Sequence, residues 1–244
     1  MRFINLIRTN PFLRDLNFRI SALSDVSYAP HRSIMRQLSY FPNAQIFDAG
    51  ANIGQFGIDM RKSGFGGQIF SYEPVSDTFE ELRKTIVSYQ PWDAYKLGLG
   101  SSESTMDINI SGNFGLSSSF LTMNGIHLQN FPKSKTLDKE RITVSTIDKQ
   151  IDLLGINSKH ILLKMDVQGF EFEALKGAYK HLNLIPLCFL EVSLKPLYSG
   201  EASLLEILNL LATHGHEVVD VFRGIKSKNG ELLQLDVLTK NINS

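Results

Sequence analysis

The chain has 244 residues, 43% of them apolar, which suits one large domain or one domain with a decorated end. Lys plus Arg and Asp plus Glu balance at 25 each, so no overall field favours nucleic acid or an anionic surface. The single cysteine, Cys188, lies in an apolar run, which excludes an internal disulfide, and no apolar run approaches the roughly 20 residues of a membrane span.

Residues 1–42 carry Arg2, Arg8, Arg14, Arg19, Arg32 and Arg36 among apolar residues, punctuated by Pro11, Pro30 and Pro42. This pattern predicts a helical extension of two or three short helices ahead of a main domain at 43–244. Its opening stretch is too short and too broken by Arg and Asn for a secretory leader. The expectation is a cytosolic protein with no integral membrane segment.

From residue 44 strand-like and helix-like segments alternate. Strands are expected at 44–49, 68–73, 94–99, 160–166 and 186–192, with helices near 53–62, 75–89, 146–154 and 170–182. Asp77 and Glu80 are spaced like a capping box for the second helix. Leu204, Leu205, Leu208, Leu211 and Ala212 form a further helical stripe, closed by Gly215. Two final extended runs, His216 to Phe222 and Leu232 to Leu238, flank a hairpin connection. Alternation of this kind implies an α/β fold with a mostly parallel sheet and an antiparallel terminal strand. Residues 100–145 depart from it, being polar and Ser-rich with short alternating stretches.

The densest signal is Gln45-Ile46-Phe47-Asp48-Ala49-Gly50-Ala51-Asn52-Ile53-Gly54-Gln55, answered by Phe70-Ser71-Tyr72-Glu73-Pro74. One apolar run ends in an acid and spaced glycines, and the next ends in another acid. That is the layout of a nucleotide pocket, in which the second acid accepts the ribose hydroxyls. A dinucleotide loop wants a middle glycine for its pyrophosphate, and here Asn52 fills that place. Asp48 adds a carboxylate that suits a cationic ligand end better than a phosphate. S-adenosylmethionine, with its sulfonium and α-amino group, fits better than NAD.

These pieces resemble the FkbM-like family of class I S-adenosylmethionine-dependent methyltransferases. So do Ser117-Ser118-Ser119, Val144 to Asp148, Leu163-Lys164-Met165-Asp166-Val167-Gln168-Gly169-Phe170-Glu171, Leu175 to Ala178 and Leu190-Glu191-Val192, in order from about residue 44 to 220. Gln168 stands where many members carry Glu. The resemblance implies a seven-stranded Rossmann-like sandwich and O-methylation of hydroxyls, often on sugars or secondary metabolites. It places Asp48, Gly50, Asn52 and Gly54 at the methionine end of the cofactor and Glu73 at the ribose. The loop after the third strand, with Ser101 and Ser102, falls near the adenine.

Asp166 closes an apolar strand where it can face the transferred methyl or cap the following helix. Glu191 ends the next strand and should open on the same face. The two are candidates for proton acceptance or for holding Mg²⁺, although two carboxylates are a thin ligand set. Glu171, in a first helical turn, needs no more than a favourable dipole interaction. His127, within the Ser-rich lip, is a candidate general base or a solvated loop residue. Trp92 reads as packing, and Lys164 as a strand-edge residue or a partner to the acids.

The expected activity is therefore S-adenosylmethionine-dependent O-methylation of a polar hydroxylated acceptor such as a sugar or glycan. An NAD-dependent oxidoreductase and a non-catalytic nucleotide-binding module are the alternatives.

Overall fold

The computed structural model describes residues 30–113 and 115–243. The chain divides into two units, Met1–Pro30 and His31–Ser244. The short helices expected within residues 1–29 lie outside the described residues. Helix α1 (Pro30–Leu38) starts on a proline, whose missing N–H costs a first helical position nothing. It turns Ile34 and Leu38 inward, and both are buried with Ile46, Met60 and Leu238. By its packing α1 belongs to the sheet domain.

Seven strands form the main sheet: β1 (Gln45–Ala49), β2 (Ile69–Tyr72), β3 (Trp92–Tyr95), β7 (Ile161–Met165), β8 (Leu187–Ser193), β9 (His216–Arg223) and β10 (Gln234–Asn241). Their order is β3-β2-β1-β7-β8-β10-β9. All pairings from β3 to β8 are parallel, and β10 runs antiparallel to both its neighbours. The last strand of the chain is thus the antiparallel one, inserted beside the edge strand β9. The expected α/β class and sheet are both present.

Near-continuous apolar strands are what a sheet covered on both faces requires. Successive residues point to opposite faces. Phe47, Ala49, Leu163 and Met165 join one core with α5 (Ile147–Leu154), α6 (Glu171–Lys176) and α7 (Leu204–Thr213). Ile46 and Leu162 join the other with α1, α2 (Gln55–Lys62) and α3 (Ser76–Ile86). Asp48 and Lys164 lie on this second face in direct register.

Three expectations need correcting. The strand expected at 94–99 is two strands in different sheets. Trp92, buried at the start of β3, brings that strand forward to 92–95. The Leu97 N–H then turns back to the Tyr95 carbonyl, leading the chain out of the sheet. Short β4 (Gly98–Leu99) pairs instead with β6 (Thr136–Ser145), which pairs antiparallel with β5 (Ser104–Ser111). Much of the polar 100–145 region is therefore a second, three-stranded sheet.

The expected Asp77–Glu80 capping box does not form. Val75 is the N-cap and has no side-chain cap, and the first-turn Ser76 N–H donates to Glu140 Oε2 at 3.0 Å. A carboxylate 64 residues away in β6 satisfies a helix end. The helix expected at 170–182 spans only Glu171–Lys176, and its C-cap Gly177 backs onto the Gly100 carbonyl, which a Cβ would approach to 2.1 Å. The Leu204 stripe is α7, and its genuine capping box is Ser203–Glu206, with Gly215 left-handed after it.

Candidate functional site

The switch point of the sheet lies between β1 and β7, where the chain order reverses and ligands of open α/β sheets gather. Asp166, Glu73, Glu191 and the β1–α2 turn all sit at carboxyl strand ends around it. The turn is built from three left-handed residues, Gly50 (φ 73°), Asn52 (φ 50°) and Gly54 (φ 95°). Gly50 is needed by the neighbouring strand, since a Cβ there would lie 1.9 Å from the Asp166 carbonyl oxygen. Asn52 stabilises its own strained turn: its Oδ1 accepts from the Ile53 N–H at 2.9 Å and from Gln55 Nε2 at 3.0 Å.

Asp48 is placed beneath this turn with no exposed surface. Its carboxylate meets Lys164 Nζ at 2.9 Å and accepts from Ser71 Oγ at 3.0 Å. Lys164 Nζ also donates to the Gly50 carbonyl at 2.8 Å, so one buried ammonium ties the β1 end to its own loop. Burial alone would lower the Lys164 amine, but Asp48, Asp166 and Glu191 together overcome it and hold it above the ordinary lysine value. The pair leaves no free negative charge at the loop. Asp48 thus acts from behind the turn, and the direct meeting with a sulfonium expected of it is not made from this position.

Glu73, 6% exposed, follows β2 and accepts from the Asn52 N–H at 2.9 Å and the Val75 N–H at 3.0 Å, one on each oxygen. Each oxygen keeps a lone pair for a second donor. Burial pushes this carboxyl up to about 7, against the pull of the two peptide N–H groups and Lys164.

At the ends of β7 and β8 the structure brings Asp166 and Glu191 together, and joins them through Gln168. Gln168 Nε2 donates to Asp166 Oδ1 at 2.6 Å and to Glu191 Oε2 at 3.1 Å. Gln168 Oε1 accepts from the Tyr198 hydroxyl at 2.7 Å, and Gln234 Nε2 adds a donor to Glu191 at 2.9 Å. Burial, then Asp166, Asp236 and Glu171, hold the Glu191 carboxyl well above its ordinary range.

Glu171 carries more than a dipole interaction. It is buried, and its Oε1 accepts from the Val167 N–H at 2.9 Å and the Gly169 N–H at 3.3 Å, closing the turn that presents Asp166. Burial raises it to about 8. A folded-state value above the ordinary one means stability that is full below about pH 4.5 and is lost as pH rises through 8. Between pH 5 and 9 the thermal midpoint of Glu171→Gln should fall about 10 °C less than that of the parent protein, read by scanning calorimetry. Equal falls would show that this carboxyl is not the one resisting ionisation.

The remaining candidates sit apart from the strand ends. His127 is not solvated: it lies in α4 (Gly125–Asn130), 2% exposed, edge-on to Phe131 and Tyr198 with ring centroids 5.5 and 5.1 Å away. Burial lowers its pKa, keeping the ring neutral behind Tyr198. Ser101 and Ser102 follow β4 rather than the third sheet strand, and Ser101 Oγ donates to Glu173 Oε2 at 2.7 Å. The loop that actually follows β3 is Lys96-Leu97. Ser117 and Ser118 join a hydrogen-bonded turn with Ser111 and Asn113, while Ser119 Oγ donates to the Gln168 carbonyl at 2.7 Å. Among the described residues no group of three or more His, Cys, Asp and Glu is placed to hold a metal.

Sequence reasoning missed the bridging role of Gln168 and the whole of Tyr198. For Gln168 a signal existed, an amide between two strand-end acids. Tyr198 lies in an irregular connection and had none.

Residues 48–218 match the family model of the methyltransferase FkbM domain. A protein called Methyltransferase 1, from Beauveria bassiana (strain ARSEF 2860), is 29% identical over 143 residues, 54% of this chain and 57% of that protein. The chain thus spans little more than half of that relative's length. Among solved structures, the magnesium protoporphyrin IX methyltransferase of Synechocystis PCC 6803 with bound SAM aligns at TM-score 0.47 and 11% identity, over 96% of this chain and 85% of that one. A TehB-like SAM-dependent methyltransferase from Corynebacterium glutamicum aligns at TM-score 0.41 and 13% identity, over 93% and 96%.

Proposed function

The chain belongs to the FkbM methyltransferase family, and on that premise we propose that it transfers a methyl group from S-adenosylmethionine to a hydroxyl of a polar, uncharged acceptor such as a sugar. The observation that carries this reading is the meeting of two strand ends. The left-handed Asn52 turn and the Glu73 carboxyl share a hydrogen bond, and each Glu73 oxygen keeps room for a hydroxyl donor.

The residues fit the donor as follows. Glu73 would take the ribose diol, and the backbone of Gly50, Asn52 and Gly54 would line the methionine end. With Asn52 at the middle position, the turn offers a diphosphate no open glycine, which keeps NAD the weaker candidate. When bound, the donor supplies an electrophilic methyl group on a cationic sulfur. The protein contributes mainly by holding the acceptor oxygen in line with that carbon. A sugar hydroxyl is barely acidic, so its proton needs an acceptor. Asp166 and Glu191 stand at adjacent strand ends, and the raised proton affinity of Glu191 suits that task.

Calorimetry with S-adenosylmethionine, S-adenosylhomocysteine and NAD tests the reading. Saturable binding of the first two and none of NAD is expected. A protein that takes neither methyl-donor compound would end it. Transfer of a labelled methyl to sugar, lipid and phenol pools then identifies the acceptor class.

A further inference from the structure

Asp166 follows Met165 of β7 and Glu191 follows Leu190 within β8, and Met165 pairs with Leu190, so the two carboxyl groups stand side by side near the carboxyl ends of central strands. Two such groups repel unless one is protonated or a cation or a donor stands between them. Lys164, an ammonium that interacts with both acids, is committed to Asp48 and the Gly50 carbonyl. What lies between them is one nitrogen, Gln168 Nε2, at 2.6 Å from one carboxylate and 3.1 Å from the other. An amide nitrogen carries two hydrogens and carboxylates only accept, so each hydrogen serves one acid.

The amide is held from three sides. Tyr198 donates to its Oε1 at 2.7 Å, Ser119 donates to the residue's own carbonyl at 2.7 Å, and the backbone is left-handed at φ 54°. A non-glycine residue keeps such a backbone only where its surroundings fix it. We infer that Gln168 is the positioning residue of the acceptor end: its side-chain amide stands between Asp166 and Glu191 where a divalent cation would bridge them. Asp166 Oδ2 and Glu191 Oε1 remain to receive a proton. Methyl transfer then proceeds with no divalent cation, a consequence that rests on the methyl-transfer reading, whereas the bridge itself does not.

The test is thermal unfolding in 0 to about 10 mM MgCl₂ against NaCl of equal ionic strength. The parent midpoint should stay flat. Gln168→Ala should unfold earlier and regain about 2–5 °C with Mg²⁺, because the ion binds the folded state where the amide stood. Gln168→Ala combined with Glu191→Gln should regain nothing. Mg²⁺ stabilising the parent as much as the variant overturns the proposal, and so does a folded Gln168→Ala that Mg²⁺ leaves unmoved.

Gln168→Glu gives an independent spectroscopic readout through Tyr198. It should bind Tb³⁺ saturably, with luminescence excited through the tyrosine, while the parent stays dark. A dark Gln168→Glu, or a bright parent, also overturns it. None of these readings depends on S-adenosylmethionine, so loss of the bridge and loss of the methyl-transfer reading are separable.

Discussion

Lys164→Met should lower the stability of the domain by about 3–5 kcal/mol, the range for stripping one partner from a buried ion pair. Methionine keeps the length and apolar stem of lysine, so the change isolates the charge. What it leaves behind is Asp48, fully buried, with only the Ser71 hydroxyl at 3.0 Å to answer it among the described residues. Ser71 has no second donor to offer, since its one hydroxyl hydrogen already goes to Asp48 while its oxygen accepts from Trp92 Nε1 at 2.9 Å. The Gly50 carbonyl loses its 2.8 Å donor in the same step, so the β1–α2 turn should loosen as well. Adding Asp48→Asn to Lys164→Met removes the orphaned charge and should recover a large part of the loss. Urea unfolding of both singles and the double gives the coupling directly. A double variant no more stable than Lys164→Met would mean that Asp48 does not depend on this ammonium.

That pair also shows where sequence reading stops. The β1 and β7 strands were legible because their apolar runs are long enough to need burial on both faces. Their terminal acids were legible because a carboxylate closing such a run needs a reason. The partner of Asp48 was not, since it is chosen by strand register, Asp48 opposite Lys164, and register is a property of the pairing. The strength of the local charge was therefore misjudged from one strand alone. The helix cap at Ser76 failed for the same reason, as Glu140 reaches it from a second sheet. A two-residue strand such as β4 carries no periodicity at all, so its place in the second sheet could not be foreseen. His127 was misplaced because the contacts that bury it, Tyr198 and Phe131, include a residue 71 positions away across an irregular loop.

The lip follows from those long-range contacts. Asn124 N–H donates to the Leu197 carbonyl at 2.9 Å, and Met123, Leu197, Tyr198 and Leu233 form a small apolar cluster. The segment after β5 is thus anchored on the connection after β8, over the strand ends that hold Asp166 and Glu191. Tyr198 links this cover to the acids beneath it through Gln168. The Ser-rich insertion and the acid pair form one connected unit.

Binding of the adenosine portion should tighten as pH rises from 6 to 8, and Glu73→Ala should abolish that dependence along with most of the affinity. Glu73 lies at about 7 in the ligand-free protein, raised first by burial. At pH 6 about nine-tenths of it is protonated, and a protonated oxygen cannot accept from a ribose hydroxyl on that side. Since the ligand needs the carboxylate, binding below pH 7 releases a proton. The apparent affinity should then rise by up to about tenfold per pH unit and level off above 7. Hydrogen bonds to a charged acceptor contribute about 1.5–3 kcal/mol, so Glu73→Ala should cost about ten- to a hundredfold at pH 8 and less at pH 6. The ligand for this measurement is 5′-methylthioadenosine, which keeps the diol but lacks the titrating α-amino group of the methionine. Any pH profile it gives therefore belongs to the protein. A flat profile in the parent, or one that survives in Glu73→Ala, would remove Glu73 from the ribose site and leave the Asn52 turn as the remaining anchor.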